Sequence, residues 1–337
     1  MVRTLSVVIL LSAAVLSVSC AYLQRRQALD RYAHGQSLAS RQQYQAALAE
    51  LAKAIKSDPN FYLAYAAAGD IYRRQGDNEH ARQSYEDACR ANPYAFRPHY
   101  NLGVVYQILA ETARAADAEG LIRKAMNAYL RATTIQPHDF EANLNLGACY
   151  FQLGKYDMAE QYCLAAIEAK PDNPQAYSNL GLIYDSQNRL YDAIKAYLTS
   201  LEMDLNQPNL LLNLGSTYMR QGRPKAALKT FEQAVVLAPN DSDCWERMAA
   251  CLYHLQEFDK ALAAYEKAAG LNPQSALARR GIGIVCMSRF VMDPAQSALR
   301  DRALAEWHRS LEIDPDQQDL IKLVQKYSPP SPSLPKL

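Results

Sequence analysis

A small residue returns at a fixed interval along most of this chain. Gly35, Gly69, Gly103, Gly147, Gly181, Gly215, Ala249 and Gly283 are separated by 34 residues, with one gap of 44. Four of these glycines sit in almost the same phrase: NLGVVY from Asn101, NLGACY from Asn145, NLGLIY from Asn179 and NLGSTY from Asn213. An alanine follows at a set distance as Ala47, Ala81, Ala159, Ala193, Ala227 and Ala261, and at longer spacing as Ala125 and Ala303. A large side chain stands four residues later (Leu51, Tyr85, Tyr129, Tyr197, Phe231, Tyr265, Trp307), with Cys163 the exception. Pro59, Pro93, Pro137, Pro171, Pro239, Pro273 and Pro315 close the units, and Leu205 takes that place once. Each period is long enough for two helices joined by a turn. Two side chains of minimal size let the helix backbones approach, the aromatic fills the space beside them, and proline cannot continue a helix.

A period of 34 with these marks resembles the tetratricopeptide repeat. The resemblance implies an all-α fold, a right-handed α-solenoid of about eight helix-turn-helix repeats at 28–61, 62–95, 96–139, 140–173, 174–207, 208–241, 242–275 and 276–317. In such a stack each repeat contacts only its neighbours, and a concave groove is lined by the first helices. Residues 318–327 (QDLIKLVQKY) read as an amphipathic capping helix, and 328–337 (SPPSPSLPKL) as an extended, mobile tail. Repeat three carries ten extra residues around ETARAADAEG, good helix formers that predict a longer hairpin. Repeat eight carries eight extra around RFVMDPAQSALR, where Asp293-Pro294 reads as an N-cap followed by a first-turn proline.

The N-terminus speaks to location. Residues 1–19 hold one basic residue, an apolar run and small residues, the layout of a secretory signal peptide. Ser17-Val18-Ser19-Cys20 resembles the bacterial lipobox, with Ser17 where leucine is usual. That resemblance implies cleavage before Cys20, acylation of Cys20 and a short linker over 20–27, and Ala21 then implies an outer-membrane lipid anchor facing the periplasm. The alternative is an uncleaved inner-membrane anchor. Residues Thr4 to Gln24 carry no charge over 21 positions, just enough to span, and Arg25 and Arg26 would hold the C-terminal side in the cytoplasm. Six further cysteines lack metal-ligand or CxxC spacing and read as buried, inert thiols, which are less usual in an oxidising compartment. A formal charge of +1 gives no bulk attraction for nucleic acid.

Within the resemblance, the asparagine of NLG falls at the sixth place of the first helix, which faces the groove. Asn101, Asn145, Asn179 and Asn213 are therefore expected to form a ladder able to donate to and accept from an extended peptide backbone. Tyr100, Val104, Leu144, Ala148, Phe151, Leu182, Leu212 and Met219 are expected to make its floor apolar, with Arg247 beside it. Asparagine is also common at this place in the repeat consensus, and the alternative reading of the ladder is a family habit. No HExxH, nucleophile elbow or phosphate loop is present, and no catalytic residue, metal or cofactor is expected. The partner expected is a protein or peptide, with the membrane reached through the anchor. The resemblance extends to tetratricopeptide lipoproteins that help assemble pilus, secretin or peptidoglycan machinery. Other readings left open are an adaptor facing the cytoplasm and the substrate-recruiting subunit of a separately encoded enzyme such as a glycosyltransferase.

Overall fold

The fold is set by a short turn repeated at a fixed place. In the computed structural model, which describes residues 22–328, helices alternate with short connections throughout, and those residues contain no strand. Gln42, Gly76, Gly154, Asn188, Gly222 and Gln256 all have φ between 60° and 78°. Each occupies the fifteenth position of its repeat, just after the first helix. The residue after it donates its N–H five residues back, as in Asp77 to Tyr72 (2.9 Å) and Arg223 to Tyr218 (2.9 Å). This left-handed C-terminal turn closes the first helix and reverses the chain into the second. Repeats three and eight, which carry the insertions, have no residue of this kind.

The chain divides into two compact units, 1–171 and 172–337. In the first, α1 occupies 22–40, followed by α2 (Tyr44–Ser57), α3 (Tyr62–Arg74), α4 (Asn78–Ala91), α5 (Phe96–Thr112), α6 (Ala115–Ile135), α7 (Phe140–Gln152) and α8 (Tyr156–Ala169). The second contains α9 (Pro174–Ser186), α10 (Leu190–Met203), α11 (Pro208–Arg220), α12 (Pro224–Leu237), α13 (Ser242–His254), α14 (Phe258–Leu271), α15 (Ala276–Met292), α16 (Ser297–Ile313) and α17 (Gln318–Tyr327). The fold is an all-α solenoid of helix pairs. Proline opens α9, α11 and α12, where its missing N–H costs nothing, and Asp77, Asp139, Asn173, Asp241 and Ser275 cap helices by accepting from N–H groups of the first turn.

The small residues act by close approach. A Cβ on Gly69 would fall 2.7 Å from the ring of Tyr85, and one on Gly103 would fall 2.6 Å from Tyr129. At Gly147, where Cys163 takes the place of the ring, a Cβ would lie 3.3 Å from the Ala159 carbonyl and 3.4 Å from the Cys163 amide, so the second helix itself lies close against this glycine. The apolar core consists of these rings, the alanines and aliphatic residues, with Tyr85, Tyr129, Tyr197 and Trp307 at most 1% exposed.

The insertion of repeat three is shared between a 17-residue α5 and a 21-residue α6. The insertion of repeat eight corrects the reading of Asp293-Pro294. Asp293 ends α15, and its carboxylate accepts from Ala295 N–H (3.2 Å) and Gln296 Nε2 (2.7 Å) in the turn. The next helix begins at Ser297, so the aspartate stabilises the turn before it instead of capping it. Helix α17 buries Leu320 and Val324 against the Trp307 cluster. Cys20, the signal-peptide reading and most of the alternative anchor segment lie outside the described residues, as do residues 329–337. No helix among the described residues is long and apolar enough to cross a membrane.

Candidate functional site

The asparagines of the first unit, and the aromatic residues beside them, are largely committed to contacts between neighbouring helices. Asn101, half-buried on α5, donates through Nδ2 to Asp70 Oδ1 of α3 at 3.1 Å. The same oxygen accepts from Tyr85 Oη at 2.5 Å. Asn145 Nδ2 lies 3.4 Å from Tyr100 Oη, a long hydrogen bond between successive repeats. The Tyr100 ring packs 5.7 Å from Tyr129, and Phe151 packs 5.7 Å from Tyr156. These side chains join α3, α5 and α7 into one surface.

In the second unit Asn179 and Asn213 are half-buried, and no hydrogen bond from either side chain is recorded among the described residues. Leu182 and Met219 are half-buried against the cluster around Leu211 and Phe231. Two floor residues read from the sequence belong to the core instead. Leu144 and Leu212 are only 7% and 6% exposed, because the fifth position of their helices turns into the stack when it carries leucine.

Successive first helices lie side by side in this unit, with α11 beside α13 and α13 beside α15. Between α13 and α15 they leave a groove of about 410 Å³, walled by Asp243, Glu246, Arg247 and Ala250 on one side and by Leu277, Arg280, Gly281 and Ile284 on the other, with Tyr265 below. Tyr265 packs both against the cluster of Ala249, which stands where other repeats have glycine, and against the following repeat. Its ring packs against Gly281 of the next repeat, where any Cβ would overlap it.

The charges in the groove are only partly used by the fold. Arg247 donates to Ser216 Oγ of α11 at 3.0 Å. Glu246 accepts from Ser275 Oγ at 2.6 Å. Burial pushes its carboxyl above the ordinary range, and neighbouring Asp243 adds to this against the Ser275 hydrogen bond. Arg280 uses its backbone carbonyl to accept from Trp307 Nε1 at 3.2 Å, and its guanidinium makes no ion pair among the described residues. Leu277, beside it, is 66% exposed. A leucine and an arginine left open in a trough that also holds two carboxylates can grip a polypeptide through one apolar side chain and flanking polar groups.

Of the residues named from sequence, Arg247 lines this groove. Glu246, Leu277, Arg280 and Ile284 are not among the residues expected from sequence, because the NLG phrase stops at Asn213. The signal was nevertheless present. These residues occupy the second, fifth and ninth places of the same helix register. Among the described residues no group of three or more histidine, cysteine or acidic side chains is placed to hold a metal ion.

The model of the cilia and flagella-associated protein 70 C-terminal domain, a tetratricopeptide domain, matches residues 20–282. The chain belongs to this family. An uncharacterised protein of Haemophilus influenzae is 28% identical over 117 residues, covering 35% of this chain and 61% of that protein. The chain thus spans about three-fifths of the length of that curated relative. Among solved structures, the Cut9–Hcn1 hetero-tetramer of APC/C is 18% identical with a TM-score of 0.57, covering 84% of this chain and 52% of that one. A tetratricopeptide protein from Parabacteroides merdae is 17% identical with a TM-score of 0.52, covering 77% and 99%. PilF of Pseudomonas aeruginosa is 20% identical with a TM-score of 0.52, covering 65% and 95%. These likenesses concern the fold.

Proposed function

We propose that this protein is an interaction scaffold that holds a segment of a partner protein in the groove between α13 and α15. The observation that carries this reading is the exposed Leu277 beside the unpaired guanidinium of Arg280, opposite Asp243 and Glu246. Neither Leu277 nor the Arg280 guanidinium is needed to close the fold, and together they offer apolar contact and charge in one trough. The ladder continues the surface toward Asn213 and Asn179, which are free to pair with the partner's backbone. Asn101 and Asn145 serve contacts between repeats.

The proposed setting is a membrane surface, with Cys20 as the lipidated residue and the assembly of an envelope complex as the process. This rests on the Ser17-Val18-Ser19-Cys20 resemblance and on the short interval between Cys20 and the first repeat. The mass of the mature chain tests it. A chain starting at Cys20 with added acyl mass supports the tether, and an intact Met1 chain excludes it.

The groove is tested by placing a photo-crosslinking residue at Leu277 in the full chain in cells, with Val236, 79% exposed on α12, as the control position. A discrete adduct from 277 and none from 236 is expected. Equal labelling from both would contradict the groove assignment.

A further inference from the structure

Helices α13 and α15 line the groove with side chains set three and four residues apart. On α15 the exposed or half-buried members are Leu277, Arg280, Ile284, Ser288 and Val291, and on α13 they are Asp243, Glu246, Ala250 and Tyr253. Such spacing keeps each set on one face of its helix. The groove therefore continues along both helices into a second hollow of about 450 Å³, with Ile284 common to the two. Tyr253 of α13 and Met287, Val291 and Met292 of α15 bound this hollow, and Leu323 and Tyr327 of α17 form its far side. The insertion in repeat eight builds one wall, because α15 has 17 residues where α9, α11 and α13 each have 13.

The two ends of this trough differ in chemistry. Asp243, Glu246, Arg247 and Arg280 charge one end, whereas no charged side chain lines the hollow at the other. There Val291 and Met292 are 54% and 71% exposed. The polar groups of the hollow are mostly used already. Tyr253 Oη and Ser288 Oγ share a hydrogen bond at 2.9 Å, and Trp307 Nε1 donates to the Arg280 carbonyl at 3.2 Å. An extended segment laid in the hollow would bury backbone N–H and C=O groups with few partners, at about 1–3 kcal/mol for each one left unsatisfied. A helix satisfies those groups internally and turns only side chains outward.

We propose that the trough holds its partner as an amphipathic α-helix lying along α13 and α15. This rests on the partner-binding reading above and adds the conformation and side-chain pattern of what is bound. From Leu277 to Val291, α15 rises fourteen steps of about 1.5 Å, or ~21 Å, the length of a helix of about four turns. The bound helix sets apolar residues, spaced three and four apart, over Ile284, Val291 and Met292. Methionine, unbranched and polarisable, adapts to side chains of varied shape there. Toward the other end an acidic residue meets Arg280, whose guanidinium makes no ion pair among the described residues. Asn179 and Asn213, on α9 and α11, lie outside the trough and remain available to the rest of the partner's chain.

Two displayed peptide libraries, panned against the full chain, test this. Both have about 16 residues, with alanine, glutamate and lysine at outward positions and random residues at positions three and four apart; the second also carries Pro-Gly at its centre, which breaks the helix. The first library alone should be enriched, with apolar residues at the random positions and an acid toward one end. As synthetic peptides, its binders should gain helicity on binding and bind about tenfold or more weakly to Met292→Glu and to Arg280→Glu. Unfolding midpoints of these variants that match the parent's separate lost contact from lost fold. Enrichment of the Pro-Gly library, with binding lost in Leu277→Asp, keeps the groove and overturns the helix. Binders indifferent to Met292→Glu also overturn it, because the occupant then stops short of the hollow. If neither library yields a binder that Leu277→Asp weakens, the partner groove itself fails and this inference with it.

Discussion

Asn101 Nδ2 and Asp70 Oδ1, one repeat apart, are joined at 3.1 Å by a hydrogen bond that Tyr85 Oη shares from below. The asparagine of the NLG phrase is thus used here to hold neighbouring repeats in register. Asn101→Ala should cost about 1 kcal/mol, the ordinary worth of a hydrogen bond when the acceptor keeps a second donor. Partner crosslinking at Leu277 should be unchanged. Asn213→Ala and Asn179→Ala, whose side chains show no such bond, should leave the denaturant midpoint in place and reduce partner capture.

Tyr265 and Gly281 make a second prediction. A methyl group at Gly281 overlaps the Tyr265 ring, so Gly281→Ala should destabilise the second unit by about 1–3 kcal/mol through overpacking. Ala249→Gly deletes a fully buried methyl group besides lowering helix propensity, and should cost about 1–2 kcal/mol. Gly281→Ala without any loss would mean that the ring does not depend on Gly281. Denaturant unfolding measures both.

Glu50, 8% exposed on α2, contributes to the acid sensitivity of the first unit. Lys53 donates to it at 2.7 Å and Arg31 at 3.0 Å, while His34 stands 3.6 Å away. The Lys53 hydrogen bond first, and that of Arg31 next, holds the carboxyl at about 2, against 4.5 when free. The unfolded chain therefore takes up the proton first as pH falls. Stability contributed by the charged form is complete above 4.5 and is lost as pH drops toward 2. Glu50→Gln should flatten the unfolding midpoint over this window. A pH profile identical to that of the parent chain would remove Glu50 from the account.

The thiols should be silent in the native protein. Burial pushes Cys89, Cys149 and Cys163 up to about 12, and Cys244 and Cys251 up to about 11, with Cys286 also raised. The nucleophile is the thiolate, so iodoacetamide at pH 8 should leave all six unmodified and label them only after denaturation. Mass spectrometry of the two samples decides this.

Spacing revealed the fold because close helix approach admits few residue types. Glycine or alanine must recur where rings such as Tyr85 and Tyr129 pack, and eight returns of that demand leave little choice of architecture. The site was less legible. Whether an asparagine faces a ligand or a neighbour depends on what stands at the ninth position one repeat earlier. Asp70 stands there for Asn101, and no such acid engages Asn213. Leu144 and Leu212 show the same limit, because a register assigns a face to a position while the size of the side chain decides how far it turns inward. Asp293-Pro294 carries the local marks of a helix start, and only the length of α15 shows that it ends one. The groove at Leu277 and Arg280 combines residues from two repeats that share no motif.

The account depends most on that groove. A random peptide library should be panned against the full chain and against the same chain carrying Leu277→Asp and Arg280→Glu, both at positions open enough to keep the fold. The account predicts enriched peptides that share one apolar residue beside a charged one and lose binding to the altered chain. Enrichment of the same peptides by both chains would contradict it, and would move the binding surface away from α13 and α15.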